Sequence, residues 1–136
     1  MSGARTVLTL PENMRGPHTR VAAVIGDPIS HSLSPRLHNA AFAALGLDWI
    51  YVACHVPEGG VTEAIEDMRN LGFEGLSVTM PHKAAVASAV DTLSATATKL
   101  GVVNCVRVQD EQLVGENTDG VGLLNSLRSQ MGINMD

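Results

Sequence analysis

Short apolar runs alternate with segments of helical period along most of the chain, and a glycine or proline ends nearly every one. The first run, residues 21–25, consists of β-branched residues and alanine and stops at Gly26-Asp27-Pro28, which is typical of a buried strand followed by a loop. Strand-like runs that alternate with helical segments predict an α/β fold with a mostly parallel sheet. We therefore expect a three-layer α/β/α sandwich.

The remaining elements follow from the same periodicity. A helix is predicted to begin at Ser34-Pro35, where serine can cap and proline suits the first turn, and to end at Gly46. Further helices are predicted over 61–71, 81–90, 93–100 and 120–129, and further strands over 49–56, 73–80, 102–108 and 113–114. A short polar turn joins the last two strands, so they predict a hairpin and one antiparallel strand.

The ends of the chain differ from its middle. Residues 1–19 show no period and carry several glycines and prolines, so we expect a flexible N-terminal arm followed by one domain over residues 20–136. No apolar run approaches the roughly 20 residues that span a bilayer, which disfavours a membrane protein. Cys54 and Cys105 each lie in an apolar run, which favours reduced core thiols in a cytoplasmic protein over a disulfide.

The charge of the chain disfavours one large class of partners. The formal net charge is −5, and the aromatic residues are two Phe, one Trp and one Tyr. Nucleic-acid binders need a positive surface that displaces counterions, and many also need aromatic side chains on which bases stack. We therefore expect no nucleic-acid partner.

Polar residues concentrate in four clusters, most of them at junctions between a predicted strand and a helix. They read HSLSP at 31–35, SVTMPHK at 77–83, VNC at 103–105 and GENTDG at 115–120. Ligands bind outside the carboxyl ends of the strands in open parallel sheets, and helix N-termini there offer unpaired N–H groups to anions. The clusters therefore predict a single site.

The residue types suit a small polyhydroxylated carboxylic acid. Ser32 and Ser34 can donate hydrogen bonds to a carboxylate, and the side chains that can bond ring hydroxyls are Thr79, Asn104 and Asp119. Lys83, one of two lysines, supplies positive charge and a transferable proton. A free lysine has a pKa of about 10.4, and a nearby Asp119 would keep it protonated, so we expect the pair to share proton transfer.

Each of these residues also has a structural interpretation. Taken alone, Ser34 could be only a helix cap, Lys83 a surface lysine, and Asn104 a partner for buried backbone groups. The histidines lack the spacing of metal ligands, so no metal site is expected. The sequence GVGLLN at 120–125 has Asn at the third glycine position of the dinucleotide fingerprint and lacks its flanking strand and acidic residue, so we reject it.

Taken together, the four clusters resemble the N-terminal, substrate-binding domain of shikimate dehydrogenases. The motifs are GDPISHSLSP at 26–35 followed by His38-Asn39, SVTMPHK at 77–83, GVVN at 101–104 and ENTDG at 116–120. Each motif is modest alone, whereas four in this order are specific. The resemblance covers residues 21–128, nearly the whole chain.

The resemblance implies reversible, NADP-dependent reduction of 3-dehydroshikimate to shikimate in aromatic amino-acid biosynthesis. It implies that Ser32 and Ser34 hold the carboxylate and that Lys83 and Asp119 form the catalytic pair. The residues implied at the ring hydroxyls are Ser77, Thr79, Lys83, Asn104 and Asp119. Two residues depart from the family's usual pattern: Ser77 stands where Asn is usual, and Cys105 where Thr is common.

The family's second, Rossmann domain, which carries the NADP site, has no counterpart in these motifs. We therefore expect the cofactor-binding residues to lie elsewhere, on a missing or separate domain, and the chain alone to be inactive. Two alternatives stay open. One is a stand-alone small-molecule binding module, and the other is a quinate or aminoshikimate dehydrogenase domain, which Ser77 in place of the usual Asn suggests.

Overall fold

The computed structural model of the chain describes residues 7–10 and 16–118, so the predicted helix at 120–129 lies outside the described residues. The elements are β1 (Arg20–Gly26), α1 (Ser34–Leu45), β2 (Trp49–His55), α2 (Val61–Leu71), β3 (Gly75–Val78), α3 (Lys83–Ala89), β4 (Thr92–Leu93), α4 (Ala95–Leu100), β5 (Cys105–Gln109) and β6 (Gln112–Glu116). Each predicted segment within the described residues is found, and β4 is a two-residue strand that the sequence analysis does not predict.

The six strands form one sheet in the order β2-β1-β3-β5-β6-β4. β1 runs parallel to both β2 and β3, and β4 runs parallel to β6. β5 is antiparallel to both of its neighbours, β3 and β6. The prediction of a mostly parallel sheet with one antiparallel strand is therefore confirmed.

Helices pack on both faces of the sheet. Successive side chains of a strand point to opposite faces, so alternate residues of β1 contribute to the apolar core on each face. Val21, Ala23 and Ile25 belong to the larger hydrophobic core, to which α2, α3 and α4 contribute their buried residues. Ala22 and Val24 form a smaller core with Tyr51, against which Phe42 of α1 packs. This arrangement gives the three predicted layers.

Glycines end three of the helices, as the sequence predicts. Gly46, Gly72 and Gly101 follow α1, α2 and α4 with φ angles of 69°, 76° and 70°. Their backbone lies in the left-handed region, which glycine adopts without the steric cost that a Cβ brings. The turns that return the chain to the sheet are therefore encoded locally.

The start of α1 corrects one prediction. Ser34 is the first helical residue, not the cap: Leu33 occupies the N-cap position and makes no side-chain cap hydrogen bond. The Ser34 backbone N–H instead donates to the Oγ of Ser32, 3.2 Å away. Proline follows Ser34 at the predicted place, in the first turn.

Residues 7–10 fall in the segment predicted to be a flexible arm, and they pack against the domain. The side chain of Leu8 is 0% exposed within the larger core. The backbone N–H groups of Val7 and Leu8 both donate to Oδ2 of Asp67 on α2, at 2.6 and 3.0 Å. A buried leucine and a shared carboxylate thus fix these four residues.

In the described part of the chain, no helix has the length and apolar character needed to cross a membrane.

Candidate functional site

A pocket of about 520 Å³ opens at the edge of the sheet where β1, β3 and β6 end and β5 begins. Six of the seven predicted site residues line it: Ser32, Ser34, Ser77, Thr79, Lys83 and Asn104. The seventh, Asp119, lies outside the described residues. The fold thus brings together residues of all four clusters, since Thr118 of the fourth cluster also lines the pocket.

The loop between β1 and α1 presents the two serines to the pocket. The backbone N–H of Ser32 donates to the carbonyl of Ile29 at 3.0 Å, which forms a turn just before the helix. Both serine side chains are half-buried and lie at the N-terminus of α1. The unpaired N–H groups and partial positive charge of a helix N-terminus favour a carboxylate at this position.

Tyr51 of β2 lies behind the serines and is 4% exposed. Its hydroxyl donates a hydrogen bond to Oγ of Ser77 at 2.7 Å. Burial raises the pKa of the Tyr51 phenol, whereas hydrogen bonding by the side chain of Ser77, and less so of Ser34, lowers it. The tyrosine therefore connects β2 to a residue that lines the pocket from β3.

Residues of α1 hold Tyr51 in place. The side chain of Asn39 donates to the Tyr51 carbonyl at 2.9 Å and accepts from its backbone N–H at 2.8 Å. The ring of His38 stacks on the tyrosine ring with centroids 4.2 Å apart and planes 8° apart. Nδ1 of His38 lies 2.9 Å from the Ser34 carbonyl, which fixes the histidine to the start of the helix.

The loop between β3 and α3 places Lys83 at the pocket. The Thr79 N–H donates to the Ile25 carbonyl at 3.0 Å, and the His82 N–H donates to the Thr79 carbonyl at 3.1 Å. Lys83 is the first residue of α3, and its carbonyl accepts from the Val103 N–H at 3.0 Å. Backbone bonds to two neighbouring segments therefore fix where the lysine side chain begins.

His82 is buried at 1% exposure beside this lysine. Its Nε2 lies 2.5 Å from the Val56 carbonyl, which it reaches as an N–H donor. The imidazole thus joins the start of α3 to the loop that follows β2.

Gly26 allows β1 and β3 to approach each other at the pocket. A Cβ at this position would lie 2.4 Å from Cγ2 of Thr79 and 3.3 Å from the Met80 carbonyl oxygen. Such a contact is too close for any Cβ, so a glycine is required where the threonine side chain reaches the pocket floor.

Asn104 makes two hydrogen bonds to the residue that precedes Asp119. Its Nδ2 donates to Oγ1 of Thr118 at 2.8 Å, and its Oδ1 accepts from the Thr118 N–H at 3.0 Å. Its backbone N–H donates to the Glu116 carbonyl at 3.0 Å. This amide therefore fixes the point from which the chain enters Asp119, in addition to lining the pocket.

The pocket is suited to a small polar anion. Lys83 brings positive charge to a lining that otherwise consists, in the described residues, of hydroxyls, an amide, a thiol, the exposed His31 and apolar side chains.

Residues 7–10 and 16–118 contain no cluster of three or more His, Cys, Asp or Glu side chains that could hold a metal ion. Cys54 and Cys105 are both free, and burial raises the pKa of each thiol.

Three residues of the site are not singled out by the sequence: Tyr51, His82 and Asn39. His82 and Asn39 stand inside the quoted motifs without an assigned role, and Tyr51 reads only as a strand residue. The fact that Tyr51 is the single tyrosine of the chain is the one signal that could have drawn attention to it.

Comparison with known proteins agrees with this geometry. A family model described as the shikimate dehydrogenase substrate binding domain matches residues 24–106. A shikimate dehydrogenase (NADP(+)) of Citrifermentans bemidjiense is 49% identical over 114 residues, which are 84% of this chain and 39% of the relative. This chain thus spans about two fifths of the length of that curated relative.

Two solved structures share the fold. A shikimate dehydrogenase in complex with NADP+ superimposes with a TM-score of 0.82 at 36% identity, over 90% of this chain and 43% of the other. Shikimate 5-dehydrogenase from Listeria monocytogenes, in complex with shikimate and NAD, gives a TM-score of 0.81 at 37% identity, over 90% and 42% of the two chains.

Proposed function

Because this chain belongs to the shikimate dehydrogenase family, matching its substrate-binding domain over residues 24–106, we propose that its pocket binds shikimate and 3-dehydroshikimate. The binding serves the reversible, NADP-dependent reduction of 3-dehydroshikimate to shikimate. The pathway, aromatic amino-acid biosynthesis, and a cytoplasmic setting rest on the family resemblance and are part of the proposal.

One observation carries the proposal: the convergence of Ser32, Ser34, Ser77, Thr79, Lys83 and Asn104 on a single pocket of about 520 Å³. These side chains offer hydroxyl and amide groups on several sides and one ammonium, which matches an acid with several ring hydroxyls. A pocket of this size is within the usual range for a small-molecule site.

The two sides of the pocket divide the substrate between them. Ser32 and Ser34 would donate to the carboxylate, assisted by the N-terminus of α1. The groups placed to bond the ring hydroxyls are those of Ser77, Thr79, Asn104 and Lys83. This division of contacts would orient the reacting carbon of the substrate toward Lys83.

Lys83 would hold and move the proton at the reacting oxygen. In the direction of reduction its Nζ donates a proton to the carbonyl oxygen as that oxygen gains negative charge, and in oxidation it takes the proton back. Asp119, the next residue after Thr118, is proposed as its partner and would stabilise the charged ammonium.

NADPH, when bound, would supply the hydride in the direction of reduction, and NADP+ would accept it in the direction of oxidation. No strand-to-helix connection of the described residues has the G-x-G-x-x-G spacing of a dinucleotide phosphate loop: the connection from β1 to α1 reads DPISHSL, and the one from β2 to α2 reads VPEGG. We therefore assign no described residue to the dinucleotide. That the chain alone turns nothing over, and works with a separate Rossmann domain, stays a prediction.

Calorimetric titration of the 136-residue chain with shikimate tests the proposal, with Lys83→Met as the key variant. Removal of the ammonium is expected to weaken binding at least tenfold, because a charged hydrogen-bond donor is lost. Lys99→Met, which removes the other lysine from an exposed position on α4, is the matched control and should bind like the parent. Equal effects of both variants, or no binding by the folded parent at millimolar shikimate, would refute the proposal.

Ser77 motivates a second candidate, a preference for quinate or aminoshikimate. Its hydroxyl is shorter than the amide usual in the family, and Tyr51 occupies one of its hydrogen-bonding positions. Titration with the three acids decides: tighter binding of shikimate supports the first proposal, and tighter binding of either other acid replaces it.

A further inference from the structure

Tyr51 is a tightly held polar side chain near the pocket that the proposed reaction does not use. It is 4% exposed and does not itself line the pocket. Asn39 bonds its backbone on both sides, and His38 covers one face of its ring. Because these contacts hold the backbone and the ring of Tyr51, they also fix the position of its hydroxyl.

The partner of this hydroxyl is a residue of the pocket: Tyr51 donates to Oγ of Ser77 at 2.7 Å. Ser77 belongs to β3, whereas His38 and Asn39, which hold the tyrosine, belong to α1, so the tyrosine is a bridge between the strand side and the helix side of the pocket.

We propose that Tyr51 is a positioning residue for substrate binding, whose buried hydroxyl orients the side chain of Ser77 toward the ligand. The proposal rests on the proposed function, since it concerns how that pocket meets an acid with ring hydroxyls. It adds a residue that lies behind the lining and acts through it.

The direction of the hydrogen bond explains the effect. A serine hydroxyl has one hydrogen to donate, and its lone pairs accept. Because Tyr51 donates to Ser77, one lone pair of Oγ is occupied and the serine hydrogen remains available for a ligand oxygen. Without the phenol, the Ser77 hydroxyl could rotate and lose this preorientation.

A phenylalanine at position 51 isolates the hydroxyl from the ring. Tyr51→Phe keeps the stacking with His38 and the two backbone bonds from Asn39, so the fold is expected to persist, which an NMR amide spectrum can verify. Shikimate binding should weaken about fivefold to tenfold, the effect of one hydrogen bond. Thr62→Val, which removes an exposed hydroxyl from α2, is the matched control and should bind like the parent.

A double-mutant cycle separates positioning from direct contact or general stability. Ser77→Ala should weaken binding, and adding Tyr51→Phe to it should weaken binding less than twofold further, because the phenol then has no Ser77 hydroxyl to orient. Independent, multiplicative losses would overturn the proposal. So would a Tyr51→Phe variant that melts at lower temperature yet binds shikimate as the parent does.

A second readout needs no ligand. As the chain has one tyrosine, the near-ultraviolet absorbance of phenolate reports Tyr51 alone. Ser77→Ala should raise the pKa of Tyr51, since the bond from Ser77 stabilises the phenolate. An unchanged pKa would overturn the positioning of Ser77 by Tyr51. Failure of the parent to bind shikimate would instead refute the proposed function, and this titration would still decide whether Tyr51 holds Ser77.

Discussion

The pocket has two sides that are supported in different ways. We call one the serine wall, made of Ser32, Ser34 and Ser77 with Tyr51 behind them. We call the other the lysine wall, made of Thr79, Lys83, Asn104 and Thr118. Both face the same ligand, yet one rests on polar side-chain contacts and the other on the main core.

In the serine wall, Ser32 and Ser34 depend on α1, a helix of 12 residues of which none is buried. Beneath it, the smaller core has three buried residues, one of them Tyr51. The helix is tied to the sheet by Phe42, which packs on this small core, by the pair of Asn39 bonds and by the His38–Tyr51 stack. Contacts of this kind contribute about 1 kcal/mol each.

The lysine wall continues directly into the larger core. Val86 of α3 and Val103, which precedes Asn104, are both 0% exposed. The backbone N–H groups of Val78 and Val103 bond the carbonyls of Asn104 and Lys83, at 2.8 and 3.0 Å. Regions with more buried apolar contacts open less often, so we expect the lysine wall to be the rigid side of the pocket and the serine wall the adaptable one.

The largest effect is expected where the lysine wall joins the core. His82→Ala removes a side chain that is 1% exposed and leaves the Val56 carbonyl without its donor, so the free energy of unfolding should fall by about 3 kcal/mol. Chemical denaturation measures this loss. His18→Ala, at an exposed position, is the matched control. A change below about 1 kcal/mol for His82→Ala would show that the lysine wall is not anchored through this residue.

A smaller effect is expected in the serine wall. Asn39→Ala removes both bonds to the Tyr51 backbone and should lower the free energy of unfolding by about 1–2 kcal/mol. Native-state hydrogen exchange should show faster exchange in α1 while α3 keeps its protection. Asn70→Ala, at an exposed site on α2, should change neither. Equal acceleration in α1 and α3 would mean that the two walls open together.

The smallest effect is a dependence on alkaline pH. The pKa of Tyr51 is raised by burial, so the folded state keeps the phenol protonated where the unfolded chain, with a pKa of about 10, ionises. The resulting stability is present below about pH 10 and is lost as pH rises toward the pKa of the folded state. Tyr51→Phe should flatten this fall. Because burial also raises the pKa of Cys54 and Cys105, the comparison of variant with parent is what isolates the tyrosine. Identical slopes above pH 10 would contradict the assignment.

The contrast between the walls also explains what the sequence could predict. Helix ends at Gly46, Gly72 and Gly101 are local features, so their positions are visible in the sequence. The polar clusters lie where strands end, and the parallel sheet necessarily brings such ends to one edge. The lysine wall, which consists of residues from these clusters, is accordingly predicted nearly whole.

The serine wall is predicted only in part because its support is long-range. Nothing in the residues around Tyr51 shows that its hydroxyl meets Ser77, 26 positions away, since that contact depends on the pairing of β1 with β2 and β3. The expectation that Ser34 caps α1 is wrong because the Oγ of Ser32 takes the backbone bond instead. Burial of Leu8 likewise depends on α2, which lies far along the chain.

An NMR titration of the folded chain with shikimate and with its methyl ester tests the central claim, that Ser32 and Ser34 of the serine wall hold the carboxylate of a ligand whose ring the lysine wall holds. Shikimate should shift the amide signals of both walls, including Ser34 and Lys83. The ester, which lacks the carboxylate charge, should keep the shifts of the lysine wall and lose most of those of Ser32 and Ser34. Shifts confined to residues outside both walls, or no shifts at all, would contradict the claim.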